Sequence, residues 1–356
     1  TKSLFNKIGI SVGFISGNLA LKEKREIINK ISNGKIDFII GTHSLFQKNV
    51  HFKKLGFVII DEQHKFGVKQ RMSLSKKGNN DCDILLMSAT PIPRTMILSA
   101  YGDIDVSKLT EKPKKRKDIL TYSKNEKNLN QVINIIKKET NLGNQIFWVC
   151  PLIEESNILD FSSVKKRYKH LEKIFKKNIT LLHGGLDLIE KDKLLNDFAN
   201  KKFNILISTT VIEVGVDFPD ANLIIIENAD KFGLAQLHQL RGRVGRGNKQ
   251  GICILIFKKN LTKNAIKRIK ILKETTDGFK IAEEDLKLRG FGDILGFKQS
   301  GNKYFKFADP SSDQILFEKA IMQIKDIKKD KKFFDKYKTL LRIFDKAEIS
   351  FNPETF

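Results

Sequence analysis

Cysteine is scarce in this sequence. Cys82, Cys150 and Cys253 are the only three thiols in 356 residues, far apart, odd in number and set in apolar surroundings. That pattern argues against a disulfide framework and a cysteine-rich metal cluster, leaving buried structural thiols as the reading. Long apolar runs are missing as well. No segment approaches the roughly 18 uninterrupted apolar residues of a membrane span, and the start, Thr1-Lys-Ser-Leu-Phe5, is not built like a secretory signal. A cytoplasmic chain without a membrane partner is the expectation. Short-period repeats and low-complexity tracts are absent. Acidic residues are in deficit, 41 Asp and Glu against 65 Lys and Arg, for a formal net charge of +24. Such an excess points to a polyanion, and nucleic acid fits because no amphipathic anchor accompanies it. Part of the charge is lysine in an Asn- and Ile-rich background, which composition bias alone can supply.

What is present is a soluble globular balance, 40% hydrophobic and 30% charged, in a chain long enough for two core-bearing domains and a small appendage. Residues 8–16 read as a strand. Residues 18–32 carry Leu21, Ile27, Ile28 and Ile31 among charges, a helical pattern that Asn33-Gly34 closes. Residues 37–41, 57–60 and 83–87 are apolar strand runs that each end in polar or small residues. Residues 109–117, rich in Lys and holding Pro113, form a linker. Strand runs then resume at 145–150, 178–183, 203–208, 221–227 and 251–257, with helical stretches between, and beyond Lys258 only helices and a glycine-punctuated loop remain. Alternating helix and strand implies parallel sheets covered by helices.

The chemistry gathers at two places. Phe57-Val-Ile-Ile60 delivers Asp61, Glu62, Gln63 and His64 at its carboxyl end, where open α/β sheets place ligands. A hard cation such as Mg²⁺ takes oxygen ligands and bridges phosphates, so Asp61 suits the metal and Glu62 suits a water. For the dipeptide alone, a strand end running into a solvated turn explains the residues equally well. The second place is residues 236–247, Gln-Leu-His-Gln-Leu-Arg-Gly-Arg-Val-Gly-Arg-Gly. The spacing of Gln239, Arg243 and Arg246 predicts one helical face bearing an amide and two guanidiniums, suited to gripping phosphate oxygens. A basic helix lying on nucleic acid or in water is the bland alternative. Nearby, residues 208–217 end another strand run in Glu213, Gly215 and Asp217.

Taken together, residues 61–71, 87–95, 148–156, 209–217 and 236–247 resemble, in order and spacing, the motifs of superfamily 2 helicases and in particular the RecG family of branched-DNA helicases. The likeness runs from about residue 9 to about residue 310. It implies two RecA-like α/β lobes with parallel sheets, the first incomplete, plus a C-terminal helical hairpin and loop. The corresponding division is residues 1–117, 118–258 and 259–356. It implies ATP and Mg²⁺ as cofactors, with Asp61 on the metal, Glu62 on the attacking water, and Gln63 and His64 relaying nucleotide state. Ser88, Ala89 and Thr90 match the motif that couples hydrolysis to lobe movement. Gly41, Thr42 and Thr209 match positions that touch DNA. Glu213, Gly215 and Asp217 match the second-lobe motif shared between DNA and nucleotide, and Arg243 and Arg246 match arginine fingers supported by Gln239. Implied partners are forks and Holliday junctions, met by a monomer.

Residues 276–282 and 285–301 resemble the hairpin and loop that follow the motor in RecG and in the transcription-repair coupling factor. There Arg289 and Gln299 hold the loop, and Phe291 departs from the proline more usual in the family. A second departure is larger: the phosphate cradle G-x-x-x-x-G-K-[ST] is missing, the sole Gly-Lys pair being Gly34-Lys35. A chain that starts after the cradle and the wedge domain is the expectation, whether as a fragment, a split gene completed by a separate N-terminal half, or a decayed remnant. On that view the chain alone lacks ATPase activity. The alternatives are a coupling-factor-like translocase or a catalytically silent DNA-binding fragment.

Overall fold

The computed structural model describes residues 4–62 save 6 and 18, then 77, 82–89, 105–111, 113, 116–151, 157–209, 218–258 and 260–289, and six positions between 313 and 323. The chain divides into two compact units, Thr1–Ala89 and Thr90–Phe356.

In the first unit, β1 (Val12–Ile15) leads through α1 (Leu21–Ser32) to β2 (Phe38–Gly41), which pairs with β1 in parallel. The helix stops where the sequence says it should. Gly34 takes φ +67°, its N–H reaches the Ile31 carbonyl, and the Lys35 N–H reaches that of Lys30. This is the glycine-closed C-terminus in which the last orphan carbonyls find donors. A single 3₁₀ turn, His43–Phe46, follows β2, and β3 (Phe57–Ile60) pairs in parallel with β4 (Asp83–Leu86). The first strand is shorter than residues 8–16 because Gly9 sits at φ +75° in a turn that the pairing does not reach.

The second unit is a six-stranded parallel sheet. Its strands are β5 (Leu120–Asn125), β6 (Gln145–Val149), β7 (Ile179–Leu182), β8 (Ile205–Ser208), β9 (Ala221–Ile226) and β10 (Ile252–Phe257), in the spatial order β5-β10-β9-β6-β8-β7. The helices are α2 (Leu129–Asn141), α3 (Asn157–Phe175), α4 (Leu188–Ala199), α5 (Leu234–Arg241), α6 (Lys263–Glu274) and α7 (Gly278–Arg289). Successive strand residues face opposite sides, so two cores form. Phe147, Val149, Leu206, Ile224, Ile226 and Leu255 pack with Phe198 of α4, Leu237 of α5 and Leu272 of α6. Ile146, Trp148, Ile205, Ile207, Ile225 and Ile254 pack with Val132 of α2 and Val164 and Leu171 of α3.

Five strands of this sheet follow the apolar runs of the sequence. The sixth, β5, does not announce itself: it lies at the sheet edge with Leu120 and Tyr122 45% and 47% exposed, so its residues carry little apolar signal.

Candidate functional site

The acid pair is held at the end of β3. Asp61 Oδ1 accepts the Glu62 N–H at 2.8 Å, and Glu62 adopts φ +49°, a left-handed conformation uncommon for a residue with a side chain. Such strain persists where neighbours over-determine it. One neighbour is Ala89, whose N–H donates to Glu62 Oε2 at 3.5 Å. The link is possible because β3 and β4 run side by side, with Met87 N–H bonded to the Ile60 carbonyl at 2.8 Å, so both strand ends open at the same edge. The structure thus brings Asp61, Glu62, Ser88 and Ala89 together. Gln63, His64 and Thr90 lie outside the described residues.

Asp61 is exposed and Glu62 half-buried. Among the described residues no group of three or more His, Cys, Asp and Glu side chains gathers as a metal cluster. One or two exposed carboxylates is the donor set by which Mg²⁺ is ordinarily held together with substrate phosphates. The residues present therefore fit a phosphate-bridged Mg²⁺ better than a metal caged by protein alone.

Gly41 ends β2 in a space only glycine fits. An added Cβ would stand 2.7 Å from Ile15 Cγ2 and from Leu45 Cγ, and 2.8 Å from the Ile15 carbonyl oxygen. Thr42 follows, exposed, its N–H on the Ile15 carbonyl at 3.3 Å and its own carbonyl accepting Leu45 N–H at 3.1 Å.

In the second unit the expected single helical face is not what forms. α5 ends at Arg241, and Arg243 and Arg246 lie in the turn beyond it. The cause is Gly242 at the cap followed by Gly245 at φ +67°, whose N–H bonds the Ala221 carbonyl and whose Cα lies against Gly251. Gln239 stays on the helix. The Gly242 carbonyl accepts from Arg246 Nε at 3.3 Å and from Arg116 Nη2 at 3.1 Å, which gathers guanidiniums around the turn.

The arginine that sequence reasoning passed over is Arg241. It is 1% exposed and donates through Nη1 to the carbonyls of Leu272 (2.6 Å) and Thr275 (2.9 Å) at the end of α6, while Nη2 meets His238 Nδ1 at 2.9 Å. Burial pulls its pKa down, against the pull of Cys253 and Asp118. A guanidinium on the last carbonyls of a helix satisfies acceptors that have no partner within that helix. Its spacing in the arginine-glycine run gave no hint of this, because burial separates it from its neighbours and sequence does not show burial.

Thr209 follows β8 at 5% exposure, and its Oγ1 has no hydrogen-bond partner among the described residues. Glu213, Gly215, Asp217 and Gln299 lie outside the described residues; Arg289 is placed as the last residue of α7.

The carboxyl ends of β6 and β9 mark where connections leave to opposite faces, through α3 on one side and α5 on the other, the usual place for a ligand crevice. Here it is filled. Glu227 takes Arg167 in a two-pronged pair, accepts the Trp148 indole N–H at 2.8 Å and receives the Cys150 thiol at 3.6 Å. Burial pushes the Glu227 pKa up, but the Arg167 and Trp148 bonds outweigh it and leave it below the ordinary 4.5. The Cys150 thiol is pushed well up, by burial first and by the Glu227 charge second, which makes it an inert structural group.

Comparison with known proteins bears on these residues. Three family models match in succession: DEAD/DEAH box helicase over residues 1–97, helicase conserved C-terminal domain over 124–248, and ATP-dependent DNA helicase RecG, domain 3, C-terminal, over 275–348. The ATP-dependent DNA helicase RecG of Thermotoga maritima is 47% identical over 329 residues, 92% of this chain and 42% of that protein. That of Bacillus subtilis is 45% identical over 320 residues, 89% of this chain and 47% of that protein. A solved structure of RecG bound to a three-way DNA junction shares 45% identity at a TM-score of 0.66, covering 89% of this chain and 41% of that one. Saccharomyces cerevisiae Dbp5 bound to RNA and ADP BeF3, 18% identical at a TM-score of 0.56, shares the fold. The chain spans less than half the length of these curated relatives.

Proposed function

The chain belongs to the RecG family of DNA helicases over the stretch it spans, and from that premise we propose that it is the motor portion of an ATP-dependent helicase or translocase that remodels stalled replication forks and Holliday junctions. The observation that carries this reading is the meeting of Asp61, Glu62 and the Ala89 N–H at the adjoining ends of β3 and β4. Acid, water-directing group and coupling segment then share one edge, as phosphoryl transfer requires of residues that position rather than react.

In this reading Asp61 would hold Mg²⁺, which would supply positive charge to the ATP phosphates. Glu62 orients and deprotonates the attacking water, with Gln63 and His64 reporting nucleotide state. Movement of the Ser88–Thr90 segment follows Glu62 through the Ala89 bond. Arg243 and Arg246 face the transferring phosphoryl group, with Gln239 in support, and the turn imposed by Gly242 and Gly245 sets their direction. Gly41, Thr42 and Thr209 contact the DNA backbone. Glu213, Gly215 and Asp217 stand between DNA and nucleotide, while Arg289 and Gln299 carry motor closure to the loop that pulls duplex. The division is residues 1–117, 118–258 and 259–356, the cellular form is a cytoplasmic monomer, and an N-terminal half carrying the phosphate cradle completes the ATP site.

The test is DNA-stimulated ATP hydrolysis by this chain with and without an added RecG N-terminal half. Turnover only with the added half is the expected result. No turnover in either case, with DNA binding retained, would replace the motor reading with that of a silent DNA-binding module.

A further inference from the structure

The turn after β2 and the segment after the acid pair are joined by one side chain. The Lys77 ammonium donates to three backbone carbonyls, those of Leu45 at 3.0 Å, of Gln47, and of Val50 at 3.0 Å. An ammonium has three N–H donors and no acceptor, so three converging carbonyls engage all of them. Burial pulls the Lys77 pKa down, and its charge is met by carbonyl dipoles.

The same three residues also donate through their own N–H groups, which belong to the preceding peptide units. Leu45 N–H donates to the Thr42 carbonyl at 3.1 Å, Gln47 N–H to that of Ser44 at 3.4 Å, and Val50 N–H to that of Gln47 at 3.1 Å. The stretch from Thr42 to Val50 is therefore held both by its own turn bonds and by Lys77. Gly41 leaves no slack behind it, since its Cα lies against Ile15 and Leu45. Phe46 of this turn also packs against Val58 and Ile60 of β3, the strand that carries Asp61 and Glu62.

We infer that Lys77 is a positioning residue for DNA binding: its ammonium fixes the turn of residues 42–50 in the shape that presents Gly41 and Thr42 to the DNA backbone, and so ties that turn to the segment leading from Glu62 to β4. The inference rests on the proposed reading of Gly41 and Thr42 as DNA contacts. Lys77 itself touches no phosphate, because its donors face carbonyls.

The chemistry distinguishes this role from its competitors. A tripod of carbonyls suits a compact ammonium and not a planar guanidinium, whereas a phosphate accepts either. A lysine that neutralises a phosphate also contributes about 0.9 to the slope of log affinity against log salt on duplex DNA. Duplex binding to the full chain is therefore measured by fluorescence anisotropy from 50 to 200 mM salt, for wild type, Lys77→Met and Lys77→Arg, alongside thermal melting of each. Both variants are expected to bind about tenfold more weakly, the loss of about one directional hydrogen bond, with the salt slope unchanged. A slope lowered by about 0.9 in Lys77→Met and restored in Lys77→Arg would overturn the inference in favour of direct phosphate contact. Unchanged affinity well below melting, with lowered melting temperatures, would overturn it in favour of a purely structural bond.

Should both variants fail to fold, acylation of Lys77 in the wild-type chain decides. Protection that is the same with and without DNA is expected, and protection that appears only with DNA would sink the idea. Failure of the wild type to bind DNA at all would remove the DNA reading itself, which the variants do not test.

Discussion

At the scale of single residues, two buried charges account for how the second unit is locked together. Arg241 gives the end of α6 its missing donors. Replacing it with Met leaves the Leu272 and Thr275 carbonyls without them, which costs about 2 to 4 kcal/mol. A urea titration of Arg241→Met against wild type checks this, and a difference under about 1 kcal/mol would show that water replaces the guanidinium. Glu227 gives a prediction in pH. Its pKa is lower folded than unfolded, so the unfolded chain binds the extra proton first as pH falls. The stability it supplies is complete above the ordinary value of 4.5 and is lost as pH drops below that toward the folded value. Glu227→Gln should therefore be less stable at neutral pH by about 3 kcal/mol, since Arg167 is left without its counter-charge. Its stability should also change less than that of the wild type as pH falls below the ordinary value of 4.5. Parallel acid limbs in the two proteins would show that Glu227 does not titrate in this range.

At the scale of elements, helix ends are set by residues close in sequence. Asp187 begins α4 by accepting the Glu190 N–H at 2.7 Å, and the Glu190 carboxylate returns a bond to the Asp187 N–H at 3.4 Å. Asp187→Ala should cost about 1 kcal/mol, read by denaturation, with faster amide exchange confined to the first turn of α4. Exchange unchanged in that turn would mean that packing of Phe198 and Leu194 alone holds the helix. Capping of this kind is local, and so are the buried parallel strands, whose continuous apolar runs mark β6 to β10. Residues 109–117 and the pairing order of the sheet are not local. Nor is β5, since an edge strand needs little apolar surface and its partner β10 is more than 120 residues away. The site divides in the same way. Asp61 and Glu62 were legible because a strand run ended in them, and their link to Ala89 followed once β3 and β4 were known to pair. The helical face expected of Gln239, Arg243 and Arg246 failed because two glycines outweigh a spacing pattern. Arg241 and Lys77 were invisible because their meaning lies in carbonyls that no side-chain motif records.

At the scale of the whole chain, an excess of 24 positive charges and a family of DNA motors make distinct demands that one experiment can separate. Net charge alone attracts any polyanion, whereas a motor must hold DNA and turn over ATP through different residues. Binding draws on lysine and arginine that displace counterions, so the logarithm of affinity should fall with the logarithm of salt at a slope of about −4 to −5, that of about five neutralised phosphates. A flat salt response would count against phosphate contact altogether. Turnover draws on Glu62 and Arg246. In the chain completed by an N-terminal half, Glu62→Gln or Arg246→Ala should lower ATP hydrolysis by about 10³ to 10⁵, the range measured for a lost arginine finger. Duplex affinity and its salt slope should stay within about twofold of wild type in both, since neither change removes more than one charge from a chain with many. Loss of turnover with retained binding would establish the division of labour. Equal loss of both would show that Arg246 belongs to the DNA surface, and normal turnover in Glu62→Gln would take the water-directing role away from that carboxylate.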